Sequence, residues 1–329
     1  MLFVNENFWR KKEVMHQLNI QTDNSTSLCY EYRKRSWVYY LFAWAVGYWA
    51  AIKILLFGVI TKKNLFELRD HIEKINSLFD YSDQLKIIRK GAASWRALDV
   101  LYNYNRDYAG KDIWLKRIES QYWIGGAHNS QAIRNRLKLS KFELKKSISK
   151  YLPQETEIRI FSIASGSAQA VVEALSELIM EVGNFNFKVM LLDNDQTAID
   201  ASKKLAERAG MAARFTFVRG KTDQVQALML AFQPQIVEMI GFLDYRPKVK
   251  AIELVRRIKN LLPTGGVFLT CNIRKNLEKP LVDFCLMWPM IYRSPVEFAE
   301  IFLKAGYPAS SFRIVYEPFM IHGLAICEN

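Results

Sequence analysis

The chain predicts an α/β fold: a mostly parallel seven-stranded sheet with helices on both faces, preceded by an α-helical N-terminal domain. Three observations predict it. After Pro153, short apolar runs alternate with helical stretches along the rest of the chain, the pattern of a sheet covered by crossover helices. Before Pro153, from Lys62 to Lys150, the spacing of apolar residues is helical, apart from a Tyr-, Trp- and Asn-rich segment at Asp99–Gln131. The charge divides at the same place: residues 1–150 carry 26 Lys/Arg against 14 Asp/Glu, and residues 151–329 carry 20 against 19.

Taken in order, the N-terminal part begins with its most hydrophobic stretch, residues 36–60. At about 1.5 Å per residue it is long enough, as a helix, to cross a hydrocarbon core of about 30 Å. Arg33, Lys34 and Arg35 precede it and Lys62 and Lys63 follow. Lys53 interrupts it, and it lacks the position and cleavage site of a signal peptide. Two readings stay open: a helix buried in the fold, and a membrane-associated helix with aromatic and basic residues at an interface. Leu65, Leu68, Ile72, Ile75 and Leu78–Phe79 then mark an amphipathic helix. The segment from Asp99 to Gln131 is rich in Tyr, Trp and Asn and holds the Gly125–Gly126 pair, a candidate hinge. Ser130 is the expected N-cap of a helix that runs to Pro153. These residues, 1–152, form the expected helical domain, and 153–329 the sheet domain.

In the sheet domain the expected strands are Ile158–Ile163, Phe187–Leu192, Arg214–Val218, Ile236–Ile240 and Val267–Asn272, with helices Ala168–Val182, Thr197–Ala209, Gln224–Phe232 and Val249–Leu262 between them. A last helix, Pro295–Ala305, precedes an antiparallel end pair, Phe312–Glu317 and His322–Ile326.

Composition removes several function classes. Cys29, Cys271, Cys285 and Cys327 form no CxxC or Cys/His cluster, which argues against structural zinc and a disulfide scaffold and fits a reducing, cytoplasmic setting. The four histidines, His16, His71, His128 and His322, show no metal-ligand spacing, so no metal is expected.

Four features carry chemistry. Arg159–Gln169 runs a strand into a turn of small residues and then a helix, where backbone and helix N–H groups can approach a ligand. Val189–Asp195 is a strand ending in acids, the place where such folds hold a ribose diol. Phe215–Asp223 is a third strand with its loop, and Leu261–Thr270 contains a Pro-Thr-Gly-Gly turn entering a fifth strand.

In this order the four features, with Phe302–Tyr307, resemble the class I S-adenosylmethionine-dependent methyltransferases, whose sheet is Rossmann-like, over residues 157–329. The resemblance implies S-adenosyl-L-methionine as cofactor. It places Ser162, Ala164, Ser165, Gly166 and Ala168 at the turn facing the methionine part, and Asp193 with Asn194 at the ribose. By the same resemblance, Asp223 lies near the adenine and Gly241 beside the methyl group. Ser162 stands where the family has an acid, and Ala164 and Ala168 stand for glycines. A dinucleotide dehydrogenase is the competing reading. Against it stand the absence of GxGxxG, the C-terminal place of the sheet, and the antiparallel end pair.

On the acceptor side, Asp244 and Tyr245 follow the fourth strand, with Asp244 a candidate general base. Tyr292 and Arg293 could grip an anionic group. Tyr122, Trp123 and Arg134 are candidate substrate contacts in the N-terminal part. His322 reads as a half-buried, satisfied strand histidine. Methyl transfer from a sulfonium needs mainly positioning and exclusion of water. The expected acceptor is a small molecule or a lipid, with a membrane surface as a further partner. Two alternatives remain: a nucleic-acid methyltransferase using the basic half, and a non-catalytic S-adenosylmethionine-binding protein.

Overall fold

The computed structural model describes residues 15–61, 82–111, 113–154 and 157–329. The amphipathic stripe expected at 65–79 lies outside them. The chain divides into two compact units. The sheet unit takes residues 15–30, Arg136–Arg274 and Ile291–Asn329; the helical unit takes Glu31–Asn135 and Lys275–Met290. The single boundary expected at 152 is therefore replaced by three exchanges, the first of which puts residues 15–30 with the sheet. The C-terminal half of one long helix belongs with the sheet, and a segment after the sixth strand belongs with the helices.

Among the described residues the sheet has eight strands: β1 (Ile20–Thr22), β2 (Ile158–Ile163), β3 (Phe187–Asp193), β4 (Phe215–Arg219), β5 (Ile236–Met239), β6 (Val267–Ile273), β7 (Phe312–Tyr316) and β8 (His322–Glu328). Their order is β1-β7-β8-β6-β5-β2-β3-β4. β8 runs antiparallel to both its neighbours; every other pairing is parallel. Seven strands match the expectation within a residue or two at each end. The eighth, β1, pairs with β7 through Ile20↔Ile314; three residues are too few to show a period.

The strands are apolar because both faces are covered. Ile160, Val189, Leu191, Ile236 and Leu269 pack with Val171, Leu175 and Leu178 of α6 (Gln169–Val182) and with Leu139, Leu144 and Ile148. Phe161, Leu192, Val237 and Phe268 face the other way, onto Val255 and Ile258 of α9 (Lys248–Leu261) and Phe298 and Phe302 of α10 (Pro295–Ala305). Neighbours in β2 thus alternate between faces, as the pleat requires. α10 starts on a capping box, Ser294 and Glu297, with Pro295 at its first position. The order reverses between β2 and β5, and that switch point opens the crevice in which such sheets bind ligands.

The helical unit holds α1 (Trp37–Thr61), α2 (Asp83–Lys90), α3 (Trp95–Asn103), α4 (Trp114–Ser120) and the start of α5 (His128–Ser149). α1 buries a stripe of Tyr39, Ala43, Gly47, Ala50, Ala51 and Ile54. Gly47 allows the closest approach: a Cβ there would stand 2.8 Å from the Pro280 carbonyl carbon. α5 begins two residues before Ser130, whose hydroxyl bonds the Trp123 carbonyl instead of capping. The cap comes from Glu278, whose carboxylate accepts the His128 and Asn129 N–H groups at 2.8 Å each. Nor is the Gly125–Gly126 pair an open hinge. A Cβ on Gly125 would meet the Tyr104 ring at 3.0 Å, and one on Gly126 would collide with Arg35.

Candidate functional site

The turn after β2 adopts the backbone of a glycine-rich turn with a single glycine, Gly166. Ala164, Gly166 and Ala168 all have φ between 52° and 54°. Two alanines thus occupy the left-handed region, each at a cost of about 1–2 kcal/mol. The turn is held by Ser165 N–H donating to the Leu192 carbonyl (3.1 Å) and Ala168 N–H to the Ser165 carbonyl (2.8 Å). Gly166 N–H donates to Asp193 Oδ2 at 2.9 Å, tying the turn to the end of β3.

Asp193 also accepts the Asp195 N–H on Oδ1 at 2.9 Å. Each oxygen keeps a second lone pair, which is what a ribose diol would engage. The Ser165 hydroxyl is buried and, among the described residues, has no hydrogen-bond partner. An orphaned hydroxyl beside a strained small-residue turn, next to a carboxylate with spare acceptor capacity, fits an adenosyl amino-acid ligand. Asp195 caps α7 (Gln196–Arg208) by accepting the Thr197 N–H at 2.8 Å, and Asn194 is exposed. Asp223 is also exposed, in the first turn before α8 (Val225–Phe232).

Ser162 does not face the turn. It is fully buried, pairs in register with Glu238 of β5, and donates its hydroxyl to the Glu238 carboxylate. Glu238 also accepts the Ile240 N–H at 3.2 Å. One carboxylate therefore joins the two strands that flank the switch point. Burial pushes its pKa up to about 7, against the Ser162 and Ile240 hydrogen bonds and the Arg136 charge.

Around the end of β5 lies a buried polar cluster. Asp244 Oδ1 accepts the Ile273 N–H at 2.7 Å, and the Asp244 carbonyl accepts the Ile291 N–H at 2.7 Å. This residue ties three segments together, and burial raises its pKa to about 6. Arg136 is 3% exposed. Its guanidinium lies near the Cys271 sulfur (3.9 Å) and would stand 3.6 Å from a Cβ on Gly241, whose φ is +82°. Gly241 N–H donates to Cys271 Sγ at 3.1 Å. Burial pushes the Cys271 thiol up to about 12, so it stays protonated. Tyr245, half-buried, closes the same turn through its N–H to the Phe242 carbonyl.

Arg293 is committed to structure. It is buried and donates to the Leu243 and Arg246 carbonyls and to the Asn272 amide oxygen, pinning the loop after β5 rather than offering a fork to a ligand. Tyr292 is half-buried beside it. Tyr122, Trp123 and Arg134 belong to the helical unit. There Arg134 pairs with both Glu31 oxygens and donates to the Leu101, Ile124 and Gly125 carbonyls. Trp123 lines a cavity of about 40 Å³ with Val46, Leu101 and Leu281, room for a water or two. Tyr122 lies under Arg35, 5.6 Å from ring centre to guanidinium. Among the described residues no group of three or more His, Cys, Asp or Glu could hold a metal ion.

Three residues of the sheet unit's ligand edge have a place that the sequence does not reveal. Glu238 did carry a signal, since an acid in the apolar run Ile-Val-Glu-Met breaks the pattern of a doubly buried strand. Arg136 lies in the aromatic and basic stretch that the sequence marks as a candidate substrate region, but nothing local sets it apart from the other basic residues of its helix. His322 was read as satisfied; it is fully buried and unsatisfied.

A family model described as "Putative methyltransferase" matches residues 61–316. No curated protein matches the chain. Among solved structures, a possible exported protein from Bordetella parapertussis shares the fold at TM-score 0.58 and 14% identity, over 93% of this chain and 99% of that one. A protein titled a putative O-methyltransferase from Nostoc punctiforme aligns at TM-score 0.46 and 13% identity, covering 85% and 71%. Magnesium protoporphyrin IX methyltransferase from Synechocystis aligns at TM-score 0.44 and 11% identity, covering 70% and 96%. The family match spans well over half of the chain, and this protein is a member of that methyltransferase family.

Proposed function

We propose that the protein transfers a methyl group from S-adenosyl-L-methionine to a small-molecule or lipid-like acceptor. The observation that carries this reading is the turn at 164–168, which follows β2 at the switch point, is strained at two alanines and is bonded through Gly166 to Asp193 at the end of β3. Strain of that kind is retained where the backbone must approach a ligand. Asp193 would hold the ribose, and the Ser165 hydroxyl and the turn would meet the amino-acid end. The bound cofactor supplies an electrophilic methyl group; the protein positions the acceptor in line with it and keeps water out. Calorimetry tests the assignment. The protein should bind S-adenosylmethionine, and Asp193→Ala should weaken binding at least tenfold. Equal affinity in the two proteins rules out Asp193 as the ribose ligand.

A membrane surface is a second proposed element, favoured by α1. Trp37–Leu56 is long and apolar enough to cross a membrane, and one third of it is buried. Its other face exposes Trp37, Val38, Leu41, Phe42, Tyr48, Trp49, Ile52 and Leu55. Residues 31–135 and 275–290 together carry 19 Lys/Arg against 12 Asp/Glu, a balance suited to anionic headgroups. A helix with one packed and one exposed apolar face suits an in-plane position. The full chain should co-sediment with phosphatidylserine-containing vesicles, and Trp49→Glu/Ile52→Glu should reduce the bound fraction severalfold. A chain that stays in the supernatant refutes the membrane element and leaves the cofactor reading intact.

A further inference from the structure

His322 opens β8 and is 2% exposed, yet among the described residues neither ring nitrogen has a hydrogen-bond partner. A buried polar group left so costs about 1–3 kcal/mol, and folds retain such a cost where a ligand or catalysis uses it. Its place in the sheet gives that cost a purpose. β8 is antiparallel to β6, so its first residue pairs with the last of β6, His322↔Ile273. His322 therefore stands at the edge where β2, β5 and β6 end, the ligand edge of the sheet. In the order β8-β6-β5-β2, strands about 4.8 Å apart put it roughly 10 Å from β5 and 14 Å from β2. That is beyond the cofactor turn and to one side of it.

The backbone of His322 is held in place, and its imidazole is kept neutral. Glu317, fully buried, accepts N–H groups from Phe319 (2.9 Å), Ile321 (2.7 Å) and His322 (3.2 Å), and its own N–H donates to the His322 carbonyl. Burial first, and the Arg136 charge second, drive the ring well below the usual histidine range. A neutral ring has one lone-pair nitrogen and one N–H. The Arg136 charge is itself felt by Asp244, Glu238 and Cys271, so the same guanidinium borders the acceptor side of β5.

We propose that His322 is the proton acceptor for a hydroxyl-bearing substrate bound on this side of the site. This rests on the methyltransferase reading above. As the hydroxyl oxygen forms its bond to the methyl carbon, the sulfur–carbon bond breaks and leaves its electron pair on sulfur. The hydroxyl proton passes to the His322 lone pair and then to solvent.

Histidine ring ¹⁵N spectra of the full-length protein test this, with His322→Gln and His322→Asn to assign the signals. The probes are S-adenosylhomocysteine with phenol or with n-octanol. His322 should be neutral at pH 7 and hardly perturbed by S-adenosylhomocysteine alone. At least one alcohol, added to that complex, should shift its ring signals and leave His128 in place. In calorimetry, His322→Gln should bind S-adenosylhomocysteine within about twofold of wild type. A protonated His322, ring signals unmoved by both alcohols, or a tenfold loss of S-adenosylhomocysteine binding in the variant overturns the assignment. Wild type that binds no S-adenosylhomocysteine defeats the methyltransferase reading and this inference together, whereas a silent ring in a binding-competent protein defeats this one alone.

Discussion

The two units bury polar groups in opposite ways. In the helical unit Glu278 is 1% exposed, and both its oxygens are fully used: Oε1 accepts Tyr39 O–H and His128 N–H, and Oε2 accepts the backbone and side-chain N–H groups of Asn129. Arg134 there meets one carboxylate and three carbonyls. At the ligand edge of the sheet, Glu238 has one hydroxyl and one N–H, Asp244 one N–H from Ile273, and His322 none at its ring. Saturated networks of the first kind fix a helix start and a loop. Sparse ones of the second kind leave capacity for a ligand and carry perturbed protonation. The difference teaches where to look for chemistry in a protein whose acceptor is unassigned: at buried groups with partners missing, rather than at buried groups as such.

The same substitution in the two units should break this comparison or sustain it. Glu278→Gln sets an amide N–H₂ against two of the four donors that the carboxylate now accepts and should cost about 3 kcal/mol at pH 8. Glu238→Gln should do the reverse. The native Glu238 pKa of about 7 lies above its unfolded value near 4.5, so the unfolded chain loses the proton first as pH rises. Wild-type stability therefore falls between about pH 4.5 and 7, by about 3 kcal/mol in all. Glutamine has no such penalty, so the variant should match wild type near pH 4.5 and exceed it at pH 8. Denaturant titrations at both pH values decide the matter; destabilisation by Glu238→Gln at pH 8 would mean that its two hydrogen bonds outweigh its desolvation.

Much of the sheet unit was legible because parallel strands covered on both faces leave continuous apolar runs, and crossover helices leave a different period between them. Ile158–Ile163 and Pro295–Ala305 were read to the residue. β1 was not, since Ile-Gln-Thr carries no period and gains its strand only from β7. Contacts between distant residues were invisible for a plainer reason. The cap of α5 comes from Glu278, 150 residues away, while Ser130 looked locally adequate. The partner of Ser162 is Glu238, 76 residues on. Asp193 was legible because a strand-end acid is a local signal. His322 was visible as a strand residue, but no local pattern tells whether a strand histidine will be satisfied.

The smallest expected effect tests whether the β2 turn is built for a ligand or merely tolerated. Ala164 sits at φ 52° and Ala168 at φ 54°, where glycine carries no Cβ penalty. Ala164→Gly should therefore stabilise the protein by about 1 kcal/mol, since relief of left-handed strain exceeds the added freedom of the unfolded chain. A shift of about 2 °C in midpoint would report it. Ala201→Gly, within α7 on the same unit, should cost about 1 kcal/mol by helix propensity alone. Opposite signs from one chemical change would show that strain is concentrated at the turn. If the turn is shaped for the cofactor, Ala164→Gly should also lower affinity for S-adenosylmethionine, because the backbone loses the restriction that holds the Ser165 hydroxyl and the Gly166 N–H in place before binding. A variant that gains stability and keeps full affinity would mean that these alanines narrow the turn without organising it.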